Sequence, residues 1–264
     1  MGHLRTGSLP RTHHWSAIVS TIAQASGIAD LDVQSIAAQT LFAGRSGLPR
    51  LSDDLVLQRC FQFLVALAVS GGCPDPETAA RELGLQIDEE PGKLPLSRAL
   101  RSWISSVETW ADPEFLVLSR QATVDTIVSW VNAHPPPQPQ LICLADPFFP
   151  WRAASSGRGF CRLSRLFFSK FTERYLEYFL SRVTADLLSV EEQELFEDAL
   201  GSQVHLVSQY AFETSKLLES FSAGWFNKNA VTRVPTAREV GGFLAHGLVR
   251  PSRHPGTMCG RLAT

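Results

Sequence analysis

Apolar residues recur at helical spacing along most of this chain, and nowhere more regularly than in residues 160–187. Leu163, Phe167, Phe171, Tyr175, Phe179, Val183 and Leu187 fall there at every fourth position. A four-residue step keeps side chains on one slowly drifting helix face, and rings of that size need a large surface to pack against. Five phenylalanines and two tyrosines lie in residues 160–179, out of 16 Phe, 3 Tyr and 6 Trp in the whole chain. The pattern predicts the central packing helix of an α-helical protein, with Phe171 and Phe179 almost fully buried.

Shorter patterns of the same kind surround it. Trp15, Ile18, Val19 and Ile22 share a face, as do Val33, Ile36, Ala37 and Leu41. Ser52-Asp53-Asp54 forms an acidic entry to the apolar run 55–69, which Gly71 and Gly72 stop. Asp75-Pro76-Glu77 sets a capping carboxylate before a proline at the first helical position, and Gly84 is placed to end that helix. Leu96, Leu100, Trp103, Ile104 and Val107 form the next face. Asp112-Pro113-Glu114 repeats the entry chemistry for a helix reaching Val131.

The run His134-Pro135-Pro136-Pro137-Gln138-Pro139 cannot be helical, because consecutive prolines remove donors and hold the chain extended. It divides the chain into an N-terminal helical region (1–133), a proline-rich, irregular connector (134–150), a C-terminal helical bundle (151–230) and a basic extension (231–264). The connector either separates two subdomains or spans one core. Leu141 to Leu144 has the composition of a short strand. Ser189-x-x-Glu192 matches a capping box. Val204, Val207, Ala211, Leu218 and Phe221 outline a helix that ends near Gly224, with Trp225 and Phe226 folding back onto the core. One short helix is expected over 237–248, and a mobile tail from Pro251. The fold class is mainly α, a helical bundle with a proline-rich connector between two helical regions.

Charge modifies this picture more than bulk composition does. The formal net charge is −2, with 44% hydrophobic and 19% charged residues, ordinary for a globular protein. Its distribution is uneven: residues 1–29 carry only Arg5 and Arg11, and residues 231–264 hold five arginines against Glu239. Residues 151–182 carry seven Arg/Lys against two Glu, whereas 183–215 carry seven Asp/Glu and no Arg/Lys. Antiparallel packing of these last two stretches would oppose the signs and bias partner choice. The cysteines (Cys60, Cys73, Cys143, Cys161, Cys259) are scattered, with none at metal-binding or redox spacing. They suit a reducing, cytoplasmic setting. The longest charge-free apolar run is too short to span a bilayer, so no membrane association is expected.

Candidate chemistry is sparse. No Walker loop, dinucleotide fingerprint, nucleophile elbow or zincin helix is present, and no histidine is spaced as a metal ligand, so no catalytic residue, metal site or cofactor is expected. Residues 78–84 have helix-turn-helix spacing, but Glu90-Pro91-Gly92 stands where a recognition helix should be. Ser155-Ser156-Gly157-Arg158-Gly159 resembles a flexible turn before a helix. With Arg158, Arg162 and Arg165 on one stripe it is a candidate anion site, the alternative being that these arginines pair with the acidic stretch that follows. Trp225, Phe226 and Lys228 are candidate interface residues, against the alternative of core capping.

Residues 174–182 (RYLEYFLSR) and 224–228 (GWFNK) resemble segments of uncharacterised helical bacterial proteins. The likeness covers the C-terminal third and consists of packing motifs, so no activity, cofactor or catalytic residue follows from it. It implies a bacterial cytoplasmic protein working within a multi-gene system, such as a defence system. The function expected from the whole is a non-enzymatic subunit or adaptor with a protein partner. The alternatives are a nucleic-acid-binding accessory using the basic termini and Arg158, Arg162 and Arg165, or an enzyme whose site is dispersed through the sequence.

Overall fold

The structure, a computed structural model, describes Gln39 and residues 51–86, 96–110, 113–136, 146–187, 219–230 and 233–249. Expectations for residues 15–22 and 33–41, Glu90, the possible strand at 141–144, the Ser189 capping box, the acidic stretch beyond 187, positions 204–218 and the tail lie outside these residues, as do the side chains of Phe179, Val183 and Leu187.

Among the described residues there are eight α-helices, one 3-10 turn and no strand. In chain order they are α1 (Leu55–Gly71), α2 (Pro76–Glu82), α3 (Leu96–Ser105), the 3-10 turn Glu108–Trp110, α4 (Pro113–Ala133), α5 (Phe149–Ala154), α6 (Gly157–Leu187), α7 (Glu219–Asn229) and α8 (Ala237–Val249).

Among the described residues α1 is a hub of the bundle. Only Leu55 and Arg59 of its 17 residues escape burial. Helices α2, α3, α4, α5 and α8 pack along it, α6 and α7 reach it through aromatic rings, and α6 packs in turn on α4, α5 and α7. A helix apolar on all sides must be enclosed by others. Its ends follow local chemistry: Asp54 Oδ1 accepts from the Leu57 N–H at 2.7 Å, and Gly72 caps the far end. Asp75 does the same for α2 by accepting from the Thr78 N–H at 3.1 Å, and the Thr78 hydroxyl, then this N–H, hold its carboxyl below the ordinary value. Gly84, at φ 87°, turns the chain after α2 in the left-handed region.

Five rings surround Phe61 of α1, with centroids 5.0–6.2 Å away: Phe160, Phe167 and Phe168 of α6, Trp225 of α7 and Phe243 of α8. Leu163, Phe167, Phe171 and Tyr175 are buried along the face that the four-residue step marks. Helices before and after the proline run share one apolar cluster. Pro135 and Pro136 are exposed just beyond the end of α4. Some polar side chains inside the bundle are paired: Thr123 and Thr126 donate to carbonyls one turn back at 2.7 Å, and Gln62 Nε2 donates across the bundle to the Pro235 carbonyl at 2.8 Å, whereas Ser119 Oγ, Ser164 Oγ and Trp151 Nε1 are buried without a partner among the described residues. Burial pushes the Cys60 thiol up to about 12, against a smaller opposing effect from the Thr123 hydroxyl, so this cysteine is a small core residue rather than a nucleophile.

Candidate functional site

Three places on this scaffold concentrate charge or exposed apolar surface. The first is the start of α6, where the arginine stripe lies. Ser156 caps the helix: its Oγ accepts from the Gly159 N–H at 3.0 Å and its carbonyl from the Phe160 N–H at 2.8 Å. The glycines are therefore not a flexible turn ahead of the helix. They form its first turn, with an N–H already engaged. A Cβ on Gly159 would fall 1.7 Å from the Ala153 carbonyl oxygen, so the residue is glycine because α5 presses backbone against it. Arg158 and Arg162 are exposed and Arg165 is half-buried, with contacts of its own. Arg152 of α5 is held by Asp146 at 2.6 Å.

Beside this turn runs α7, with Ala223 and Asn227 against Gly157. The sequence suggests that Gly224 ends this helix, but α7 continues to Asn229, whose Nδ2 donates to the Trp225 carbonyl at 2.9 Å. Trp225 and Phe226 thus sit inside the helix and point inward, 8% and 2% exposed, stacked on Phe160 at 6.0 and 4.3 Å. Burial of those two rings outweighs the roughly 1 kcal/mol that an interior glycine costs a helix. Of the three candidate interface residues only Lys228 is exposed.

The second place is an ion network joining α4 to α6. Arg174 Nε donates to Asp125 Oδ2 at 2.7 Å and its Nη1 to Glu177 Oε2 at 3.1 Å, while Lys170 reaches Glu173 at 2.9 Å. The hydrogen bond that Arg174 donates to Asp125 raises the arginine's pKa above the ordinary guanidinium value. Desolvation raises that of Glu177, against the pull of Arg174. Burial also raises Tyr175. Each acid in this network faces a cation, which suits a clamp between helices better than proton transfer. Among the described residues no group of three His, Cys, Asp or Glu could hold a metal ion, and no helix is long and apolar enough to cross a membrane.

The third place is absent from the sequence reading. A groove of about 320 Å³ opens between α3 and α4, lined by Leu96, Ser97, Val124, Ile127, Val128, Val131 and Asn132. Val117, Val124 and Val128 are 51%, 37% and 52% exposed, three of the four large hydrophobics exposed among the described residues. They fall on one stripe of α4 because steps of seven and four residues return to the same face. On the opposite face Ser119, Thr123 and Thr126 are buried. The covered face mixes these small polar groups with Leu118, Ala122, Ile127 and Trp130, while the valine stripe is left outward. The signal in the sequence is the seven-residue spacing of Val117, Val124 and Val131, which a heptad search would register.

No protein-family model, curated protein or solved structure matches this chain.

Proposed function

We propose that the protein is a non-enzymatic helical adaptor that docks a partner protein on the α3/α4 groove, as one subunit of a bacterial assembly encoded by several genes. The observation that supports this is the outward valine stripe of α4 bordering an apolar groove. Apolar side chains gathered into one patch beside a concave surface are a feature of interaction sites, whereas single exposed ones are ordinary. Beneath the groove α3 and α4 both pack on α1, which is buried almost throughout. The experiment is affinity purification from the native host, comparing wild type with Val124→Asp/Val128→Asp. A stoichiometric partner retained by wild type and lost from the variant is the expected result. Equal recovery from both would remove the groove from the account.

The exposed Arg158 and Arg162, with Arg165 on the same stripe, favour a second reading, in which the start of α6 contacts a nucleic-acid backbone. Under the adaptor reading, reversing all three to Glu leaves the fold intact and removes no nucleic-acid binding, because wild type has none at physiological salt. Tight wild-type DNA or RNA binding, weakening as salt rises and abolished by the triple reversal, would favour the second reading instead.

A further inference from the structure

The groove's edges carry a chemistry that selects its occupant. Among the described residues none that lines it is acidic. One helical turn beyond Ser97 on α3 stands the exposed Arg101, and one turn before Val124 on α4 stands Arg120. Neither guanidinium forms an ion pair with another described residue. From α1, Arg59 sits 5.2 Å over the Trp103 ring of α3 and reaches the Ser106 Oγ at 3.4 Å. The carboxylates of α4 are engaged already, Asp125 by Arg174 and Glu114 by contacts of its own. The surface is thus an apolar strip with a positive border.

From this we infer that the groove receives an amphipathic helix of another polypeptide, with an apolar seam at heptad spacing and Asp or Glu flanking it. The inference rests on the groove being the docking surface. A second copy of this chain fits less well. Its own Arg101 and Arg120 would double the guanidiniums at the seam, and α3 and α4 would bring no carboxylate that is not already engaged. Charge of one sign on a docking face steers the opposite sign toward it and excludes like-charged competitors.

The test titrates the full-length protein with two synthetic amphipathic helices of about 20 residues, identical in their Leu/Ile seam, one flanked by Glu and the other by Lys. Expected is binding of the Glu peptide at least about ten-fold tighter than the Lys peptide, a difference that shrinks as salt rises. Arg101→Glu/Arg120→Glu should reverse the preference, and Val124→Asp/Val128→Asp should abolish binding of both. Equal binding of the two peptides, lost in the valine variant, would overturn the acidic partner and leave the groove standing. Failure of both peptides to bind would overturn the inference and count against the groove as well. Dimerisation of wild type, seen by sedimentation and lost in the valine variant, would replace the acidic partner with a second copy.

Discussion

Phe61→Ala should cost about 3–5 kcal/mol, because a fully buried ring leaves both its transfer energy and an unfilled cavity behind. The position is extreme even for a core phenylalanine. Phe61 is 1% exposed and lies within ring contact of α6, α7 and α8 at once. Those neighbours are themselves rings held by further ring contacts, Trp225 tilted on Phe243 at 4.5 Å and Phe160 stacked on Phe226 at 4.3 Å, so they cannot collapse far into the space. With total stabilities of about 5–15 kcal/mol for a domain, the loss would consume a large share. Urea unfolding gives the measurement. A midpoint unchanged from wild type would show that α1 is not a hub.

Gly159→Ala should be comparably damaging, although it adds a single methyl group. The obstacle at 1.7 Å is the Ala153 carbonyl, backbone that cannot rotate aside, so the added carbon must push α5 from the start of α6. That shift would disturb Trp151, which is fully buried on α5, and Phe160, one residue further along α6. Overpacking of a well-packed contact costs about 1–3 kcal/mol, and more where backbone must move. A thermal melt of the variant should shift downward by several degrees. A variant as stable as wild type would mean that the two helices do not meet this closely.

These two sites also show what the sequence discloses. Asp54 and Asp75 are recognisable as caps because capping is decided within four residues, and the four-residue step through Leu163, Phe167, Phe171 and Tyr175 marks a buried face without knowledge of its partner. Gly224 misleads for the opposite reason. Glycine commonly ends helices, but here the tertiary burial of Trp225 and Phe226 carries α7 past it. The role of Gly159 is equally non-local, since the atom that requires glycine belongs to α5. The enclosure of α1 is less legible than the ring pattern of α6, because it depends on how many other helices pack along the segment. The groove is the least legible feature. Which face of α4 is covered, the one bearing Leu118, Ser119, Ala122, Thr123, Thr126, Ile127 and Trp130, is decided only when the bundle is assembled.

The account depends most on those valines serving association rather than the core, and the most direct measurement follows the stability and the partner binding of Val124→Asp/Val128→Asp side by side. Substitutions on an exposed face change stability by no more than about 0.5 kcal/mol. The predicted result is a melting temperature close to that of wild type together with loss of the co-purifying partner. A collapsed melting transition would show that the stripe belongs to the core, and an intact complex at wild-type stability would show that the partner docks elsewhere.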